Sequence, residues 1–250
     1  MRSLIAIFCL TVAVLIGNGG VGYAQDALKE EVKEAEALFK RNEAMQKAAK
    51  KKDYATVVRI LRPLAEQGNA SDQEKLGQMY HLGLGVTQDY KEAMKWYRKS
   101  AEQGRHLPQY YLGWMYKNNK GVLQDYEEAV KWYRKSAEQG NAQAQLELGL
   151  MQHKGEGVTQ DYKEAVRWYR KSAEQGTARA QLFLGVMHGS GKGVLRDDVY
   201  ALMWLNIAAT NGNKNGVKVG DIIAKRMTKD QIAEAQKLAR ECVRNKYKGC

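Results

Sequence analysis

The chain has 250 residues, of which 44% are hydrophobic and 27% charged, and this balance excludes a largely disordered protein. Only 2 prolines, together with many Lys, Glu and Ala, favour helix over strand. The 40 lysines and arginines outnumber the 28 aspartates and glutamates, so the formal net charge of +12 favours acidic partners. Four histidines and three cysteines leave little material for a metal cluster, and we expect no metal and no other cofactor.

Residues 1–24 have the pattern of a secretory signal peptide. Arg2 supplies the positive start, residues 4–16 form an uncharged apolar run, and Ala24 closes a small-x-small cleavage pattern. As a helix the apolar run would cover about 20 Å, short of the roughly 30 Å hydrocarbon core, which disfavours an uncleaved anchor. We therefore expect an exported protein, periplasmic or secreted, with no transmembrane span after cleavage. Export argues against nucleic acid as a partner.

Residues 25–52 have a helical composition with an apolar stripe that includes Leu28, Val32 and Leu38. They are followed by the first of several repeats. We expect this segment to form an N-terminal capping helix, because an uncapped terminal repeat would expose its apolar surface.

A 36-residue period governs the next part of the chain. Tryptophans recur at this spacing from Trp96 to Trp204, aspartates from Asp53 to Asp197, and glycines from Gly68 to Gly212. Chance does not produce such a series. The period predicts repeats at 53–88, 89–124, 125–160 and 161–196, with a half repeat at 197–212.

Each repeat has the signals of two helices joined by a turn. Asp89 is a good N-cap, and Glu92 three residues later would complete a capping box. Gly104 suits the left-handed residue that ends the first helix. A glycine also recurs inside the second helix, at Gly113 and Gly149 for example, which suggests that a neighbouring aromatic ring packs against bare backbone there.

Four motifs together resemble the Sel-one-like repeat, a longer relative of the tetratricopeptide repeat: an A-E-Q-G turn, an L-G pair, a G-x-G-V loop and a D-Y-x-E-A start. The resemblance covers about residues 53–212. It implies an all-α fold, a right-handed α-solenoid in which each repeat buries its apolar face on the next. It also implies a non-enzymatic scaffold or regulatory adaptor that binds a protein partner in the cell envelope, and we expect a monomer.

The alternative function is hydrolytic. Some cysteine-rich secreted relatives with similar repeats are associated with penicillin binding and β-lactam hydrolysis. The repeats of this chain carry no cysteine pairs, and the S-x-x-K motif of such enzymes does not occur in the sequence. Serines such as Ser100 and Ser136 recur with the repeat, which indicates a structural role, and we assign no catalytic residue.

Nine cations recur in three repeats and are the candidate partner-binding residues. Stacking of the repeats would align them into rows, which could form a basic groove for an acidic or extended ligand. The other interpretation is a solvated helix face in which Arg98 pairs with Glu102. The candidates are Lys95, Arg98, Lys99, Lys131, Arg134, Lys135, Arg167, Arg170 and Lys171.

The periodic tryptophans also allow two interpretations. They could offer aromatic anchors to a partner, or they could pack between helices, which is the commoner use of a residue repeated so strictly. The four histidines lack the spacing of a zinc site and are assigned no ligand role.

Residues 213–250 are expected to form C-terminal capping helices, the last of which starts at Thr228 with a capping box to Gln231. Cys242 and Cys250 lie near the C-terminus, and in an oxidising compartment they are expected to pair within the chain. An intermolecular bond or free thiols are the alternatives.

Overall fold

The computed structural model describes residues 21–250. Within that range there are twelve α-helices and no strand, which confirms the all-α class. The described residues divide into two compact units, the first ending at Ile60 and the second running from Leu61 to Cys250. The helices are α1 (Val21–Lys50), α2 (Tyr54–Glu66), α3 (Ala70–Leu82), α4 (Tyr90–Glu102), α5 (His106–Lys117), α6 (Tyr126–Glu138), α7 (Ala142–Lys154), α8 (Tyr162–Ala173), α9 (Ala178–Ser190), α10 (Asp198–Thr210), α11 (Lys214–Ala224) and α12 (Lys229–Arg244).

The first unit contains α1 and the beginning of α2. Most of the predicted signal peptide, residues 1–20, lies outside the described residues, and α1 begins at Val21. Three large apolar side chains of α1, those of Val32, Leu38 and Phe39, are exposed. That residues 25–52 cap the first repeat stays a prediction. Within residues 21–250, every helix is either too short or too polar to cross a bilayer.

The second unit is a solenoid of helix pairs. From α3 to α11 each helix packs against the next one in chain order, and α12 packs against α10. We call α4, α6, α8 and α10 the first helices of their repeats, and α3, α5, α7 and α9 the second helices. Neighbouring repeats share their cores, because Trp132 packs with Ala93, Met94 and other residues of the preceding repeat.

The periodic tryptophans are interior residues. Trp96, Trp132, Trp168 and Trp204 are exposed by only 4%, 7%, 5% and 0%. At this burial their rings cannot serve a partner as protruding anchors. The packing interpretation of the series is therefore confirmed.

The first helices begin and end largely as the sequence predicts. The Asp89 carboxylate accepts a hydrogen bond from the backbone N–H of Glu92, and Asp125 and Asp161 cap α6 and α8 in the same way. Gly104 follows α4 with φ of 89°, in the left-handed region.

The second half of the predicted capping box is wrong. The backbone amide of Asp89 donates to the carbonyl oxygen of Tyr80, at 3.0 Å, instead of to Glu92. Glu92 pairs with Lys95, three residues further along the same helix. The preceding second helix therefore supplies the acceptor that the glutamate was expected to supply.

Buried hydrogen bonds hold each repeat to the previous one. The hydroxyl of Ser136 donates to the carbonyl oxygen of His106 at 2.6 Å, and Ser100 and Ser172 make the equivalent bond. Gln139 donates to the side chain of Gln109, at 2.8 Å. Gln109 in turn donates to a backbone carbonyl of α4. These contacts confirm the structural role predicted for the repeated serines, because all three hydroxyls are spent on the stack.

A tyrosine ring packs against the glycine inside three of the four second helices. A Cβ atom added at Gly149 would lie 2.8 Å from the ring of Tyr169, and Gly113 has the same relation to Tyr133. Both tyrosines are completely buried. The prediction that an aromatic ring packs against bare backbone is confirmed here, while at Gly185 the side chain is that of Leu205.

The C-terminal segment closes the stack. The predicted capping box is present at the start of α12, between Thr228 and Gln231. Cys242 and Cys250 are joined by a bond of 2.01 Å between their sulfur atoms. Cys242 belongs to the core cluster that also contains Trp204, and Cys250 packs against this cluster. Whether the two thiols pair in the cell depends on the redox compartment, so the pairing stays a prediction.

Candidate interaction surfaces

The nine predicted cations lie on α4, α6 and α8, and we call them the cationic face. Its outermost members pair with an acid three residues earlier on their own helix. Lys95 lies 3.3 Å from Glu92, and Lys131 lies 2.6 Å from Glu128. Arg167 makes the same kind of pair with Glu164. The pairs are largely exposed, and such pairs contribute little to stability.

A second row of the cationic face lies over the tryptophans. The ammonium groups of Lys99, Lys135 and Lys171 are 4.7, 4.4 and 4.5 Å from the ring centres of the tryptophans three residues earlier. A cation above an indole face is attracted by the negative potential of the ring. These lysines therefore cover the edge of the core.

The three arginines differ from one another. Arg98 donates to the hydroxyl of Tyr116 at 2.7 Å, and not to Glu102 as the solvated-face interpretation had it. Arg170 donates to the backbone carbonyl of Cys250 at 3.4 Å. Among the described residues, Arg134 has no ion-pair or hydrogen-bond partner. Most of the cationic face is thus engaged by its own chain, and its binding role stays a prediction.

A second surface is formed by the second helices and was not singled out from the sequence. It contains a cavity of about 350 Å³ between α3, α4 and α5, a volume at the lower end of known ligand sites. We call it the first aromatic site. Its lining residues are Gln78, His81, Leu82, Tyr97, Tyr110, Tyr111 and Trp114.

The wall of the first aromatic site consists of two stacked ring pairs. His81 stacks on Trp114 with centroids 5.0 Å apart, and Tyr97 stacks on Tyr111 at 4.9 Å. The two pairs meet edge to face, with His81 and Tyr111 at 81°. The hydroxyl oxygen of Tyr97 lies 3.3 Å from Nδ1 of His81. These mutual contacts hold the rings in place. Leu82, which also lines the cavity, is 61% exposed.

Two repeats later the same positions form a second aromatic site. Phe183 stands where Tyr111 stands in the first site, and it stacks on Tyr169 with centroids 5.2 Å apart. His153 takes the position of His81, and its Nδ1 lies 3.3 Å from the hydroxyl oxygen of Tyr169. Phe183 is partly exposed.

The repeat between the two sites carries charges instead of rings. Lys117, at the position of His81, pairs with Glu147 at 2.6 Å, and only 19% and 16% of the two side chains are exposed. Arg179 lies 3.6 Å from the other oxygen of Glu147. Tyr133 therefore has no histidine beside it, and its buried hydroxyl has no hydrogen-bond partner within the described residues. The two aromatic sites and this charged segment together are called the aromatic face.

Burial keeps the titratable rings of the aromatic face neutral. It lowers the pKa of His81 below the usual value of 6.5, because the charged imidazolium would lose hydration. The pKa of His153 is lowered by burial and further by Lys192 and Lys154. Burial raises the pKa of Tyr97 and of Tyr111. At neutral pH both sites thus offer uncharged aromatic surface.

The signal that could have revealed the aromatic face lies in the variation between repeats. Tyr110, Tyr111 and Trp114 fall on one side of α5, while the corresponding positions of the other second helices are aliphatic, polar or charged, with the exception of Phe183. A strict period draws attention to the residues that recur in every repeat, whereas the aromatic face consists of residues that differ between repeats.

No group of three potential metal-ligating side chains occurs among residues 32, 33 and 35–250, for which side chains are described. The recurring serines are bonded to backbone carbonyls and buried, so they are not placed as nucleophiles. Together, a helical solenoid and its two differentiated surfaces define a scaffold protein.

The profile of the Sel1 repeat matches residues 70–104, 109–141, 142–177 and 178–213, and the chain therefore belongs to the Sel1 repeat family. Each match begins at or near a second helix, and the repeat boundaries at residues 53, 89, 125 and 161 stay a prediction. Sel1 repeats form scaffolds that commonly mediate protein interactions and are generally non-enzymatic.

One solved structure supports the same assignment, and a second is similar in sequence. A Sel1 repeat protein from Oxalobacter formigenes is 34% identical over 75% of this chain and 79% of that chain, with a TM-score of 0.64. The protein c5321, a protective antigen of uropathogenic Escherichia coli strains with an SLR fold, is 30% identical over 78% of this chain and 58% of that chain, with a TM-score of 0.42. The Oxalobacter structure confirms the all-α solenoid.

The hydrolase alternative gains no support. The cysteine rich protein B of Helicobacter pylori is 20% identical over 53% of this chain and 95% of that chain, with a TM-score of 0.43. That likeness is too low to transfer any property. None of the curated proteins matches the chain.

Proposed function

We propose that this protein is a non-enzymatic adaptor of the bacterial cell envelope and that it binds a protein segment through the aromatic face. The observation that carries the proposal is the cavity between α3, α4 and α5, whose wall is made of prearranged aromatic rings. Aromatic residues in preformed pockets supply much of the affinity in protein interfaces. The rings are already packed against one another, so binding orders few side chains.

The cationic face supports this function through long-range electrostatic attraction. Its cations are held locally, but their charge still adds to a field that attracts acidic partners and speeds association. Arg134 is the member best placed for direct contact, since its guanidinium has no partner among the described residues. Residues 1–24 support export, and purified protein from the periplasmic fraction should begin at Gln25.

The proposal is tested by crosslinking in living cells, followed by recovery of the tagged protein exported by its own signal. A specific envelope protein should be captured by the wild type and lost with Tyr111→Gln. This change suits the fold, because the same repeat position holds Lys75 and Glu147 elsewhere in the chain. Arg134→Glu should weaken capture only at low salt. A captured protein that ignores both changes would contradict the proposed binding surface.

The matched control for Tyr111→Gln is Lys131→Gln, which lies on the cationic face. Lys131 is exposed and pairs only with its own helix, so its removal should leave capture unchanged at high salt and weaken it less than Arg134→Glu does at low salt. Melting curves of all variants establish that capture reports binding and not unfolding. Hydrolysis of a chromogenic β-lactam by the pure protein would revive the hydrolase alternative.

A further inference from the structure

We propose that the aromatic face takes an extended protein segment that carries two apolar side chains about six residues apart, with a carboxylate between them. This inference rests on the proposed function and specifies its partner.

The two apolar positions follow from the two aromatic sites. At the first, the rings of Tyr111 and Trp114 lie at a cavity and are only partly buried. At the second, Phe183 stacks on Tyr169, and the guanidinium of Arg179, a side chain that is 57% exposed, lies 5.8 Å from the centre of the Phe183 ring. Each site thus presents an aromatic surface whose inner side is already fixed by stacking. An aromatic or aliphatic side chain gains from covering such a surface, because it removes apolar area from water.

The spacing follows from the repeat. Lys117 of α5 reaches Glu147 of α7, so neighbouring second helices lie side by side. A helix with its side chains is about 10–12 Å across, so helices that meet through long side chains have axes about 10 Å apart, which places equivalent positions two repeats apart at about 20 Å. An extended chain advances about 3.3 Å per residue and covers this distance in about six residues.

The carboxylate follows from the charges between the sites. Lys117 and Arg179 both contact Glu147, so this segment has one positive charge in excess. Arg179 is 57% exposed and can meet a ligand without losing much of its hydration. An acidic residue in the middle of the bound segment would neutralise the excess, and the net charge of +12 favours such a segment over a basic one.

Synthetic peptides of Gly, Ser and Glu with two phenylalanines test the inference by titration calorimetry on the full exported chain. The probe has its phenylalanines about six residues apart and a glutamate midway. A control peptide has the same composition with half that spacing. We expect the probe to bind at least about tenfold more tightly than the control, and to lose a similar factor when either phenylalanine is replaced by alanine.

Variants of the chain make the test specific. Tyr111→Gln and Phe183→Gln should each weaken the probe by about tenfold while the melting temperature stays close to that of the wild type. Glu147→Gln should tighten binding, since it raises the positive excess, and the gain should vanish at high salt. A merely structural role of Glu147 would not produce tighter binding.

Three outcomes would overturn the inference: equal binding of probe and control, equal binding with one phenylalanine, or no response to Phe183→Gln. The proposed function would survive them if the cellular partner were still lost with Tyr111→Gln. It would fail together with the inference only if capture ignored the first aromatic site as well.

Discussion

The cationic face and the aromatic face are built from the same repeats, but they use their side chains differently. On the cationic face the lysines have local partners, as in the pair of Lys131 with Glu128 or the lysines above their own tryptophans. On the aromatic face the contacts join different repeats, as between Lys117 and Glu147, which lie 30 residues apart.

This comparison shows which contacts distinguish one repeat of the solenoid from another. Local contacts recur because each repeat can make them without its neighbours. Contacts between repeats depend on which residues meet, and these differ along the chain. The stacked rings of His81 and Trp114 are followed one repeat later by the ion pair of Lys117, and two repeats later by the stacked ring of Phe183. A periodic surface cannot place one ligand in one register, whereas this alternating surface can.

The largest expected effect concerns the helical glycines against which the buried tyrosines of the aromatic face pack. Gly149→Ala would press a methyl group against the buried ring of Tyr169, and we expect a net loss of about 1–2 kcal/mol in unfolding free energy, even after the gain in helix propensity. Gly220→Ala is the control, because its Cβ would meet Leu202 at an ordinary 3.4 Å. Denaturant unfolding measures both. Equal effects would show that the ring is not held against the helix.

The second-largest effect is expected when two ion pairs of equal length, one on each face, are removed in turn. Lys117 and Lys131 each lie 2.6 Å from a glutamate, but the first pair is mostly buried and the second is exposed. Lys117→Ala should cost about 1 kcal/mol, limited by the remaining contact of Glu147 with Arg179. Lys131→Ala should leave the melting temperature near that of the wild type. If the two variants melt alike, the claimed difference between the faces is wrong.

A smaller effect is expected from Lys135 on the cationic face. Lys135→Ala removes the cation above Trp132 and should cost about 0.5 kcal/mol, the value typical of exposed cation–π contacts. Lys135→Met keeps the apolar stem and serves as control, since it separates the charge from the covered area. A loss that Met restores in full would mean that the contact is apolar and not electrostatic.

The smallest effect near neutral pH comes from the histidines. Burial lowers the pKa of His81 and of His188 in the folded state, and Arg170 lowers that of His188 further. The unfolded chain therefore binds more protons below about pH 6.5, and stability falls as the pH drops from there. The cationic face lacks histidine and should not contribute.

His188→Gln tests whether this histidine causes the acid sensitivity. The change suits the fold, because the same position one repeat earlier is a glutamine, Gln152. Its melting temperature should fall less between about pH 7 and pH 5.5 than that of the wild type. His106→Gln, at an exposed residue, should behave like the wild type. An unchanged slope in the His188 variant would assign the acid sensitivity to other groups.

Much of the second unit could be predicted from its sequence. The aspartate caps, the left-handed glycines and the tyrosine on the helical glycine each depend on one short motif and elementary sterics. The capping box at Asp89 failed because its amide found a carbonyl of the previous helix, which no local motif reveals. The expected pair of Arg98 with Glu102 failed for the same reason, since Tyr116 lies closer in space than in sequence.

The period, the helix class and the buried side of each repeat can be read from the amino-acid sequence, because they follow from interactions within about one turn of chain or from strict repetition. Which of the two surfaces differs from repeat to repeat depends on contacts that form when the repeats stack. His81 meets Trp114 and Lys117 meets Glu147 across some thirty residues of chain, and such meetings depend on how far each repeat is rotated against the next. That rotation is a property of the stacked core and not of any single motif.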